Sequence, residues 1–194
     1  MFLLVLAVYH FFTGVLGEPI FALESNDGLG HNFRRIQEFW IVLMLLAMAL
    51  RKWRFLCLSW GLLFGAYLVD DSLSLHEWLG LTISQKFDLP SPGGVRPQDL
   101  GEMLVYGSWG LLCTGLVALA HFLSWHDARR FSRGLFGLLM LLILFGAGMD
   151  LAQALAQQRW LHAAFGKLEE AGSMMAVSVI VWFLLRQGEV RSDQ

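Results

Sequence analysis

Apolar segments of bilayer-crossing length follow one another along this chain with only short polar breaks between them. That alternation leaves few folds open. Crossing the hydrocarbon core takes about 20 mostly apolar residues in a helix, and only helices or closed barrels satisfy their backbone hydrogen bonds there. These segments run well beyond strand length and read as helices near 2–17, 38–50, 54–79, 101–124, 134–156 and 168–186, the second starting a turn earlier, near Arg35. The first segment is short. It lacks a basic n-region, and Val15-Leu16-Gly17 before Glu18 is a poor cleavage site, so it reads as a retained helix rather than a signal peptide. The 194 residues are 56% hydrophobic and 15% charged, and no polar stretch is long enough to build a second core. The expectation is one transmembrane domain over residues 1–194, an all-α integral membrane bundle of about six helices.

Basic residues orient such a bundle. Arg51, Lys52 and Arg54 fill one tight turn, Arg129, Arg130 and Arg133 another, and Arg186 and Arg191 follow the last apolar segment. The positive-inside rule assigns these eight of the fourteen basic residues to the cytoplasm, which puts both termini inside. Trp40, Trp78 and Trp160 then mark the outer edge of the slab and Trp53, Trp125 and Trp182 the inner edge, while Trp60 and Trp109 fit neither band. With this topology only Asp127, Glu189 and Asp193 of the sixteen acids are cytoplasmic. The expected home is the cell membrane, with a site that opens outward. A faint repeat accompanies the topology: Phe64-Gly65-Ala66 leads to Asp70, and Phe145-Gly146-Ala147 leads to Asp150, each after a basic turn.

Charge and cysteine usage exclude several partners. A net charge of −2 provides no basic field for nucleic acid. Cys57 and Cys113 fall in different apolar segments without CxxC spacing, so they read as small packing residues rather than a disulfide or thiolate metal site. The partners expected are membrane lipid, an amphiphilic substrate, and either a membrane-protein partner or a second copy of the chain.

The acids carry the functional signal. Asp70, Asp71, Glu77, Glu102, Asp150, Glu169 and Glu170 lie in or against apolar segments, where an ionisable group costs several kcal/mol and is read by default as functional. The densest run is Asp70-Asp71-Ser72-Leu73-Ser74-Leu75-His76-Glu77. On one continuous helix, Asp70, Ser74 and Glu77 would form a stripe, and Ser72 would stack on His76. A plainer reading ends the helix near Asp70 and leaves the rest as solvated loop, although Leu73, Leu75, Trp78 and Leu79 would sit badly in water. Gly146, Asp150, Gln153 and Gln157 make a polar stripe at helical spacing, and Asp150 lies at nearly the same depth as Asp70. Asp99-Leu100-Gly101-Glu102 resembles a capping box, so Glu102 has a helix-start explanation beside a functional one. Tyr106 and Ser173, one turn deeper than Glu102 and Glu169, extend a polar line into the membrane.

No H-E-x-x-H or H-x-x-x-H pair occurs, and a closed zinc site is not expected. A carboxylate-rich site with one or two imidazoles, His76 and one of His10, His31 or His162, better suits Mg²⁺, Mn²⁺, Ca²⁺ or non-haem iron. Ser72-x-x-x-His76 resembles the Ser-x3-His element of the alkaline ceramidase and adiponectin-receptor superfamily, membrane-embedded zinc amidohydrolases that act on lipids. The resemblance covers five residues. That family's paired H-x3-H is absent, and Glu169 to Ser173 stands where it would lie.

Three functions compete. In the first, a divalent-metal-dependent enzyme acts on a lipid or other amphiphile, with Asp70, Glu77, Glu102 and Asp150 as metal ligands and His76 and Glu169 as catalytic acid and base. In the second, the same groups only hold helices together in a non-catalytic accessory or assembly subunit. In the third, they relay protons or cations, although the inner halves of the helices carry almost no polar groups to complete a path.

Overall fold

The computed structural model describes residues 29–51, 53–90, 96–149, 152 and 158–189. Among them the chain is all-helical: α1 (Leu29–Arg51), α2 (Arg54–Leu73), α3 (Leu75–Lys86), α4 (Pro97–Phe122), α5 (His126–Ile143) with a π turn at Leu144–Gly148, and α6 (Arg159–Glu189). The segment expected as a helix over 2–17 lies outside the described residues, as do Asp150, Gln153 and Gln157. Two compact units are present, one from Glu38 to Ser132 and one from the described residues on either side of it.

Three helices are long and apolar enough to cross a membrane: Arg54–Leu73, Pro97–Phe122 and Ala164–Gly188. On α4, Leu104, Trp109, Leu111 and Leu112 are all exposed, Leu111 to 78%, and a contiguous apolar face of this size would be unfavourable against water.

α1 starts at Leu29, ahead of the expected start near Arg35, because its buried stripe is not wholly apolar. Arg34, Glu38, Ile41, Leu45 and Ala49 recur at helical spacing and are all buried. A search for apolar residues misses the first two. In the 38–132 unit, Gly61 of α2 admits α1, with Leu45 and Leu46 each 3.7 Å from where a Cβ on Gly61 would stand. Trp60 is fully buried beneath them, and its indole N–H donates to the Ser132 hydroxyl at 3.1 Å. That bond explains why Trp60 matches neither tryptophan band: it is a core residue with its polar edge satisfied.

α5 begins at His126 rather than the expected 134. Ala128, Phe131, Ser132, Leu135, Leu139 and Leu142 form its buried stripe, and the arginines interleaved with them face outward. The π turn then takes in Gly146. Gly146 is the one described member of the polar stripe expected at Gly146, Asp150, Gln153 and Gln157. In the other unit α5 and α6 run antiparallel. Phe183 lies 2.9 Å from where a Cβ on Gly134 would stand, and Phe145 presses against Gly172.

Candidate functional site

The helix expected over 54–79 is two helices. Ser74 adopts a left-handed backbone, φ 48° and ψ 42°, and separates α2 from α3. A non-glycine residue there costs about 1–2 kcal/mol, so neighbouring interactions have to hold the break. Asp70 supplies them. Its Oδ1 accepts the His76 backbone N–H at 2.9 Å, satisfying one of the orphan donors at the start of α3, for which Ser74 makes no side-chain cap. Its Oδ2 pairs with His76 Nδ1, also at 2.9 Å. The carboxyl of one helix thus caps the next and holds the imidazole at its entrance.

The break revises the stripe. Ser74 lies between the two helices, so Asp70, Ser74 and Glu77 do not line one helical face, and Ser72 is not one α-helical turn from His76. The solvated-loop alternative's helix end near Asp70 lies close to the observed end at Leu73, but α3, which runs to Lys86, stands where it had a solvated loop.

α3 and α4 form an antiparallel hairpin. Arg96 precedes α4 in an extended conformation, Pro97 follows at its start, and the Asp99 carboxylate accepts from Arg96 Nη2 at 2.8 Å and Nε at 3.1 Å. That bond and the Asp99 charge raise the pKa of the Arg96 guanidinium. Asp99 therefore sits inside the first turn rather than at the N-cap, which replaces the capping-box expectation. At the crossing, a Cβ on Gly101 would run into the Gly80 carbonyl, and one on Gly80 would meet Glu102. Side chains are excluded at both positions. One turn away, the same register brings the Tyr106 ring onto the His76 ring, with centroids 4.6 Å apart and planes at 29°. The Tyr106 hydroxyl lies beside the Asp70 carboxyl, with Tyr67 and Asp71 among its charged and polar neighbours.

Asp70, His76 and Tyr106 are therefore the residues brought together. Asp70 is 9% exposed. An ionised carboxylate can only accept, so in this pair Nδ1 is the donor, and Nε2 is the ring nitrogen that Asp70 leaves unengaged. Glu77 Oε1 is 3.9 Å from Nε2, too far for a hydrogen bond, and its side chain is largely exposed. Glu102, part-buried against Gly80, accepts from Gln98 Nε2 at 2.8 Å. Glu169 lies on α6 in the other unit, one turn from the buried Ser173. Asp150 is outside the described residues. Among the described residues, no three His, Cys, Asp or Glu side chains gather into a group that could hold a metal ion.

A family model described as a domain of unknown function, DUF8692, matches residues 36–187. The chain belongs to the DUF8692 family. The matched span covers all five described site residues considered above, Asp70, His76, Glu77, Glu102 and Glu169, together with Tyr106. No curated protein and no solved structure matches the chain. Within this DUF8692 chain, Tyr106 is the partner that sequence reasoning undervalued. Its signal was the four-residue step from Glu102, which places the two on one face of α4 and matches the step from Gly80 to His76 on α3.

Proposed function

We propose that this DUF8692 chain is a multi-pass protein of the cell membrane with both termini cytoplasmic, in which His76 acts as a general acid–base on a lipid or other amphiphile at the outer boundary. The observation behind this reading is the 2.9 Å pair between Asp70 Oδ2 and His76 Nδ1. A carboxylate at Nδ1 fixes tautomer and ring orientation and leaves Nε2 to exchange a proton with substrate. Tyr106 backs the ring and limits its rotation. A divalent-metal form of this reading would add Glu77 and Glu102, which lie in the same unit, to Asp70 as ligands. Asp70 already accepts two hydrogen bonds from His76, so the acid–base role stands without a metal ligand from that residue.

The test compares lipid extracts of cells that express wild-type protein, His76→Gln or no protein. A lipid pair that changes in opposite directions with the wild type and not with His76→Gln, when both variants are present at equal level in the membrane, supports the enzyme. Identical lipid profiles would sink it. Metal analysis of purified protein separates the two forms: near-stoichiometric Mg, Mn, Ca, Fe or Zn that is lost in Asp70→Asn supports the metal site.

A second reading, the non-catalytic accessory subunit, is favoured by one observation. Asp70 Oδ1 caps the His76 amide and so does structural work regardless of chemistry. On this reading Asp70→Ala lowers the melting temperature, and His76→Gln leaves every cellular lipid unchanged.

A further inference from the structure

Two basic turns far apart in sequence meet at one end of the 38–132 unit. Trp53 joins α1 to α2 in a left-handed conformation, φ 53°, and its ring lies 5.4 Å from that of Phe131 on α5. The bond from Trp60 to Ser132 secures the same contact from within. Arg51 and Arg54 are within two residues of Trp53, Arg129 and Arg130 are within two residues of Phe131, and all four are exposed. Arg129 also donates back to the chain before it, from Nη2 to the carbonyl of Phe122, the last residue of α4, at 2.6 Å and from Nε to that of Ser124 in the following turn at 2.9 Å. Those bonds hold the α4–α5 turn in shape. The turn presents Phe122, Leu123 and Trp125 outward, Trp125 to 86% exposure. Asp127 is the one acid in residues 39–69 and 118–132.

Four guanidinium groups beside an outward Trp, Phe and Leu make a surface with two requirements. The apolar tip avoids water, and the cations need anions at the level where that tip is buried. An anionic leaflet offers both, because its acyl boundary takes the aromatic and aliphatic side chains and its phosphates take the guanidinium groups bidentately.

We propose that Arg51, Arg54, Arg129 and Arg130, held together by the Trp53–Phe131 contact, form a binding surface for anionic phospholipid headgroups. The proposal rests on the membrane-embedded reading above, which flotation of the protein with vesicles tests separately. The full chain is reconstituted into phosphatidylcholine vesicles, and the association of spin-labelled phosphatidylglycerol is measured relative to spin-labelled phosphatidylcholine. Wild-type protein should prefer phosphatidylglycerol, and the preference should weaken with salt. Arg54→Gln with Arg130→Gln should reduce it by about fivefold for each arginine removed. Arg54→Lys with Arg130→Lys should retain most of it, and Arg96→Gln, an exposed arginine bound to Asp99, should leave it unchanged. A preference that survives the double Gln variant, or that falls equally with Arg96→Gln, would overturn the proposal. So would wild-type protein that floats with the vesicles but shows no preference, a result that would assign the face to an acidic protein partner.

Discussion

Asp70 performs two tasks with one carboxyl, and they can be separated by substitution. Asp70→Ala removes the acceptor of the His76 amide and the partner of Nδ1 together, so it should destabilise the protein by about 1–3 kcal/mol, read as a lower melting temperature in detergent. His76→Phe keeps the backbone amide that Asp70 caps and the ring that Tyr106 stacks on, while losing only the Nδ1 bond. It should cost less than Asp70→Ala. Equal losses would mean that the side-chain pair, rather than the cap, stabilises the break. Trp60 offers an independent check in the core. Trp60→Phe strands the Ser132 hydroxyl and leaves a void where the indole stood, with an expected loss of about 2 kcal/mol or more. These roles were legible to different degrees. The acids stood out because charge in an apolar run is rare, whereas the role of Trp60 depended on a serine distant in sequence.

At the scale of helices, the break at Ser74 decides how the polar run is presented. Backbone preference tests it with a clear sign. Glycine tolerates the left-handed region that serine occupies at a cost, so Ser74→Gly should be neutral or slightly stabilising, and Ser74→Val should destabilise by about 1–3 kcal/mol. An unbroken helix through this point would reverse the order, because glycine inside a helix costs about 1 kcal/mol. The thermal melting of the two variants distinguishes these outcomes. The α3–α4 crossing makes a second demand. A methyl on Gly101 meets backbone rather than a movable side chain, so Gly101→Ala should force the helices apart and cost at least about 1–3 kcal/mol. It should also loosen the stack of Tyr106 on His76, which near-ultraviolet circular dichroism would register. Helix existence was readable from apolar length here, but the break was not, since nothing in Leu73-Ser74-Leu75 signals a left-handed residue.

For the whole molecule, the testable statement is topology. The basic turns at Arg51–Arg54 and Arg129–Arg133 are expected in the cytoplasm and the α3–α4 connection outside. A reporter that is active only outside the cytoplasm should therefore work when fused after Asp88 and fail when fused after Trp125. The reverse pattern would invert the bundle and place the Asp70–His76 pair on the cytoplasmic face. The Trp53–Phe131 contact is consistent with the two basic turns sharing one side, because it brings both to the same end of their unit.

Sequence by itself determined the helical class and the likeness to a membrane protein, because long apolar runs admit almost no alternative to helices. It also marked Asp70, His76 and Glu102 as charges or polar groups out of place. Tertiary structure decided which of them meet. The antiparallel register of α3 and α4, set by two glycines whose missing side chains let the backbones touch, put Tyr106 rather than Glu102 over His76. The left-handed turn at Ser74 carried the Asp70 carboxyl forward onto the imidazole six residues later. Buried charge at the start of α1 was hidden for the same reason: hydropathy records how each residue prefers water, and only packing reveals which polar groups have been taken out of it.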